Sequence, residues 1–290
     1  MSTTTPLPRG RAPVSALSFV YRCADRMHLP QSYTFVRDGL IQGNVSSAAI
    51  VRAIAAAPEQ QQAFLGLTKW LFPHQEGTDR IDHAVRQFGL QSTHDLLLAA
   101  SLQEILAGLG EGALRAFRAR SLNCALAAHF ALRQQQHADS TRPLLEGLLA
   151  PLGVLLLAHL EPALMARVLD REQGKGPIAE RIKATFGVRH QAVAAELLRC
   201  WGLPGSLVLV LSTMQQPELS APFQVEAANL GLAWELAEAM SEGRPPETAA
   251  AYIPQRSWSI LDLRAYDLAA IAKLVDTHRA GFAEVLGWPS

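Results

Sequence analysis

Cysteine is scarce. The 290 residues hold three, Cys23, Cys124 and Cys200, widely spaced and with no C-x-x-C pair. An odd, dispersed set excludes a disulfide framework, fits a reducing compartment and leaves no zinc-type Cys/His cluster. Cys124 and Cys200 fall on apolar helices and read as small buried hydrophobes. Charged residues make up only 18% of the chain and balance, 26 basic against 26 acidic. A net charge of zero gives no field to steer the chain toward nucleic acid or an anionic membrane. The opening residues, MSTTTPLPRGRAP, contain no apolar stretch of the kind a secretory signal needs. The longest apolar run, Leu152 to Leu160, is too short to cross a bilayer and is closed by His159 and Glu161. A cytoplasmic protein without membrane insertion is expected. G-x-S-x-G and phosphate-loop patterns are missing; GKG at 174–176 lacks the rest of such a loop. There is no internal repeat and no sustained apolar/polar alternation, so strands are not expected.

What is present is helical spacing. Residues 1–12 are polar and Pro-rich and are expected to be disordered. Ser46-Ser47 caps a helix from Ala48 to Ala57, and Pro58 punctuates it. Further helices are expected over Arg80–Phe88, with Gly89 as a left-handed cap, over Leu96–Leu106 with Ser92 as N-cap, and over Ala113–Arg133. A polar loop covers 134–140. The centre of the chain is Leu144 to Pro217. Its first helix is apolar on nearly every side, which belongs inside a core. Its second, Arg189 to Trp201, repeats Val193, Leu197, Leu198 and Trp201 at three- and four-residue steps and stops at Gly202 and Pro204. A helix from about Ala163 to Arg171 lies between them. Phe223–Met240 is helical, 241–262 is rich in Gly and Pro and reads as a linker or arm, and Ser259 with Asp262 gives an S-x-x-D start to a last helix over 263–287. The apolar stripe of that helix (Leu268, Ile271, Leu274, Val275, Phe282, Val285, Leu286) must dock, on its own domain or on a second copy. The fold class is all-α: a multi-helix domain over 13–240 with a C-terminal helical extension.

The order of motifs adds a resemblance. GLLAPLG at 147–153, Glu180, FGVRHQAVAAELLRCWGLP at 186–204, Ile81, Ala84, Val85, Phe88 and Gly89, and Ala57-Pro58 resemble the HDOD domain, the HD-related output domain of bacterial signalling proteins. That family shows GLLHDIG, FG-x-x-H, WGLP and HH-x-P in this order, and the likeness spans about residues 30 to 235. Its structural motif positions here are Gly89, Gly153, His190, Trp201, Gly202 and Pro204. The resemblance implies an HD-like helical bundle descended from metal-dependent phosphohydrolases. The chain departs from the hydrolase pattern where it matters. Ala150-Pro151 replaces His-Asp, Met214-Gln215 replaces the His pair before Pro217, and Arg120 stands where a His would precede Ser121. His190 alone survives.

A catalytic metal ordinarily takes three or more protein ligands. With His190 the one candidate left, no metal, no cofactor and no catalytic residue is expected, and His190 reads as a structural histidine donating to a backbone carbonyl. His129 and His159 are the residual route to a metal if they neighbour it. His94-Asp95, the only His-Asp dipeptide, reads as a first-turn pair favoured by the helix dipole. Arg115, Arg118 and Arg120 read as a solvated face. Trp201 reads as a core anchor between the two central helices. The expected function is a non-enzymatic signalling module, monomeric or homodimeric, that binds a protein partner. The alternatives are a degenerate phosphohydrolase retaining metal or nucleotide, and a nucleic-acid-binding regulator, which neutral charge disfavours.

Overall fold

The computed structural model describes residues 15–133, 141–170 and 176–289. The expected disordered N-terminus (1–12), the polar loop (134–140) and most of GKG lie outside the described residues. Among the described residues there are fifteen α-helices and no strand. The N-terminal part comprises α1 Ala16–Cys23, α2 Gln31–Gln42, α3 Ser47–Ala55, α4 Pro58–Leu71 and α5 Ile81–Leu106. The middle comprises α6 Glu111–Arg133, α7 Thr141–Leu149, α8 Leu152–Leu160, α9 Pro162–Leu169, α10 Ile178–Phe186, α11 His190–Cys200 and α12 Gly205–Thr213. α13 Gln224–Ser241, α14 Gln255–Leu261 and α15 Asp267–Val285 complete it.

Local chemistry sets the boundaries. Ser46 accepts a hydrogen bond from the Ala49 amide at 3.2 Å and starts α3, while Pro58 opens α4, where its missing N–H is not needed. The apolar stretch 141–160 is two helices. Pro151 has no amide to continue the ladder, so α7 ends at Leu149 and α8 begins at Leu152. This stretch is apolar enough to cross a membrane by composition, yet 83% of it is buried inside the fold, as a core helix requires. Gly89, with φ 74° and ψ 178°, leaves helical geometry, so α5 is two helices that meet at a kink there, and the first of them stops at the glycine as the sequence suggests. Ser92 therefore caps nothing; it lies inside the helix, and Thr93 instead donates to the Gly89 carbonyl at 2.7 Å. Asp262 likewise does not start the last helix. It takes a left-handed conformation that closes α14, and α15 begins at Asp267, whose carboxylate accepts from the Arg264 amide at 2.7 Å.

The most enclosed helices are α6, α7 and α13, which pack on one another. Every residue of α13 from Ala227 to Ala239 is buried, Glu235 and Glu238 included. α8 and α11 close one side of this centre through an approach only glycine permits. A Cβ on Gly153 would lie 1.9 Å from the His190 carbonyl oxygen. α15 lays Leu268, Ile271, Val275 and Phe282 against α6 and α4, and 241–262 carries a 3-10 turn and α14, both packed on α13.

Candidate functional site

Of the positions that depart from the hydrolase pattern, Arg120 and Gln215 stand in one cluster with His190, Trp234 and Glu235. Gly153, just past Ala150-Pro151, sets the start of α8 against the first turn of α11, and so against His190. The His190 ring is fully buried and stacks on Trp234 of α13, centroids 4.2 Å apart and planes at 25°. Neither of its ring nitrogens has a hydrogen-bond partner, so it makes no bond to a backbone carbonyl, contrary to the sequence-based expectation. Burial, with the positive charges of Arg120 and Arg189, drives its pKa down to about 3, and the ring is neutral at all ordinary pH.

Arg120 is the second element. It was expected on a solvated face but lies buried on α6, its Nε donating to Glu238 of α13 and its Nη2 3.5 Å from the other carboxylate oxygen. Its guanidinium also sits 6.0 Å from the Trp234 ring centroid. A fixed cation thus stands beside His190 and takes up the α13 carboxylate. Of the other two arginines, Arg118 pairs with Glu111 at 2.7 Å and Arg115 is exposed, so the three form no common patch.

Glu235, one turn before Glu238, is buried. Burial first and the Glu238 charge second push its carboxyl up to about 8, while a hydrogen bond from Gln215 acts the other way. It is therefore mostly protonated at neutral pH. Gln215, standing in the family's His pair, serves Glu235 and also accepts from Arg189 at 3.3 Å. A cleft of about 220 Å³ opens beside Glu235 and Glu238, walled by Arg181, Glu242, Arg244 and Tyr252.

These residues do not fit a divalent metal. Among the described residues no three His, Cys, Asp or Glu side chains converge. One carboxylate is bound to arginine, the other is held protonated, and the arginine charge opposes a second cation at the only imidazole. His129 and His159 do not join His190. His129 packs on Trp70, centroids 5.4 Å apart, and His159 lies 3.5 Å from Arg26.

His94-Asp95 is likewise not the expected helix-start pair, because both side chains are buried within α5 past the kink. Asp95 accepts from His94 Nδ1 through one carboxylate oxygen and forms an ion pair with Arg142 through the other, each at 3.1 Å. The Tyr33 hydroxyl donates to His94 Nε2 at 2.7 Å. This chain of contacts ties α2 to α5 and α7. Trp201 is buried, but against the N-terminal segment rather than between the central helices. Its indole donates to the Met27 carbonyl at 3.4 Å and its own carbonyl accepts from Arg37. Gly202 (φ 65°) makes the left-handed turn that ends α11, and Pro204 precedes α12. Cys200 is exposed, since it points outward on the last turn of α11, while Cys23 and Cys124 are buried.

Just over half of the chain, residues 70–217, matches the HDOD domain family. The chain belongs to the HDOD family. Solved structures share the fold. An HDOD domain protein of unknown function from Geobacter sulfurreducens superposes with a TM-score of 0.65 at 16% identity, covering 93% of this chain and 98% of that one. A candidate phosphohydrolase from Shewanella amazonensis SB2B gives 0.64 at 17% identity, covering 93% and 97%. A candidate signal transduction protein from Marinobacter aquaeolei VT8 gives 0.62 at 16% identity, covering 96% of this chain and 62% of that one. At these identities the likeness speaks to fold alone. No curated protein matches the chain. Within the HDOD bundle, sequence reasoning missed Trp234, Glu235 and Glu238. Two carboxylates three residues apart in a stretch, Leu232–Ala239, otherwise made of Ala, Leu and Trp were the available signal.

Proposed function

We propose that this HDOD protein is a non-catalytic regulatory module of a bacterial signalling pathway, acting in the cytoplasm by binding a protein partner. The observation that carries the reading is the buried Arg120–Glu238 pair beside a neutral, stacked His190. Metal-dependent hydrolysis needs a cation that lowers the pKa of a bound water and polarises a phosphoryl oxygen. Here the place is taken by a side-chain cation that can neither bind water as a Lewis acid nor exchange. His190 and Trp234 then serve packing, and the family's catalytic position becomes part of the core.

A binding role is supported by the surface of the N-terminal helices. Tyr21 on α1 and Phe35 and Ile41 on α2 are exposed. Phe35 edges a groove of about 540 Å³ floored by Ala49, Ala53 and Ala56, with Arg52 and Glu104 among its walls. An apolar side chain from a partner fits a floor of methyl groups. A degenerate phosphohydrolase is the second reading, favoured by the cleft at Glu235 and Glu238. Hydrolysis of bis(4-nitrophenyl) phosphate with added Mn²⁺ separates the two. The expected rate is that of the buffer. Chelator-sensitive turnover that disappears in His190→Ala would establish the second reading instead.

A further inference from the structure

A cavity of about 790 Å³ lies between α4, the end of α6 and α15 and shares no lining residue with the cleft at Glu235. It falls within the range of small-molecule sites, roughly 300–1,000 Å³. Its wall is aromatic. The half-buried indole of Trp70 is central, with Phe130 at 6.5 Å, His278 at 6.0 Å and perpendicular to it, and Phe282 beneath at 4.9 Å. Its charge is one-sided. Lys69 and Arg133 line it, both exposed, together with His74, His129 and His278, and among the described residues no Asp or Glu does. In a chain of zero net charge, this is a local accumulation of cationic and imidazole groups around an apolar floor.

Each feature narrows the occupant. Aromatic faces attract either a cation or a flat ring. Lys69 and Arg133 repel a cation, which leaves the flat ring. The same two side chains, with imidazole N–H groups, favour an anion near that ring, and phosphate is the anion such donors suit. We propose that this cavity binds a purine nucleotide, its base against Trp70 and His278 and its phosphate toward Lys69 and Arg133. Because α15 supplies one wall, the C-terminal helix would be part of the site. The inference is independent of the metal-free reading of the His190 cluster, and neither fails with the other.

Isothermal titration calorimetry on the full chain tests it with AMP, GMP and adenosine as probes. Saturable binding of AMP or GMP is expected, with adenosine at least tenfold weaker than AMP for want of the phosphate. Lys69→Gln combined with Arg133→Gln, both at exposed positions that leave the core intact, should bring AMP close to adenosine. Trp70→Leu should weaken all three probes by about tenfold or more, base–aromatic stacking being worth that much. Absence of saturable AMP and GMP binding at millimolar concentration would overturn the proposal. So would nucleotide binding that the Lys69/Arg133 double variant leaves unchanged, which would place it elsewhere on the molecule.

Discussion

The protonated Glu235 makes stability depend on pH in a direction opposite to the usual carboxylate. Its native pKa is about 8 against an ordinary 4.5, so between these values the folded state holds a proton that the unfolded state has released. Stability then falls as pH rises, by up to about 1.4 kcal/mol per pH unit. His190 acts the other way. Its native pKa is about 3 against 6.5, so between these values the unfolded state holds the extra proton and stability rises with pH. The two effects oppose each other from about pH 4.5 to 6.5, and His159, its pKa lowered by burial, adds to the rising side just below 6.5. Above 6.5 only Glu235 remains, and about 2 kcal/mol is lost by pH 8. Burial pushes the Cys23 and Cys124 thiols up from a thiol's ordinary value of 9.0, so they matter only above this window. Glu235→Gln keeps the shape and cannot ionise. Urea titrations at pH 5.5, 6.5, 7.3 and 8.0 should show the falling limb in the native protein and a flat line above 6.5 in the variant. A native protein equally stable at pH 6.5 and 8.0, or a variant with the same slope, would refute the placement of Glu235.

Other substitutions test the packing around the same cluster. Arg120→Met or Glu238→Leu alone leaves a buried charge without its partner and should cost about 3–5 kcal/mol, whereas the double variant should cost much less, as a double-mutant cycle of urea midpoints would reveal. Gly153→Ala sets a methyl against the His190 carbonyl with no side chain able to move aside, so a loss of about 3 kcal/mol is expected in thermal or urea unfolding. Trp201→Ala should cost on the order of 3–5 kcal/mol by removing a large buried ring, and a loss under about 1 kcal/mol would put the indole at the surface.

Periodicity and punctuation carried the fold. Ser46, Pro58, Gly202 and Pro204 mark helix ends through local chemistry, and local chemistry is visible in a sequence. Errors arose where tertiary packing overrides it. Ser259 and Asp262 spell a start signal, yet Asp262 ends a helix, because nothing in four residues says which side of the motif is packed. His94-Asp95 looks like a helix start until Tyr33 and Arg142, 61 and 47 positions away, are brought against it by folding. The loss of the hydrolase ligands at Ala150, Pro151 and Met214 was legible residue by residue. What replaced them was not. Arg120 and Glu238 are 118 positions apart and each reads alone as a surface charge.

The metal content of the full chain tests the central claim most directly, namely that Arg120 and Glu238 occupy the place of a metal centre. Protein purified without chelator and then dialysed against Mn²⁺ should carry no stoichiometric metal by elemental analysis, and Mn²⁺ should leave its unfolding midpoint unchanged. About one metal per chain, as a single catalytic site would hold, lost on His190→Ala together with a Mn²⁺-dependent rise in midpoint, would contradict it.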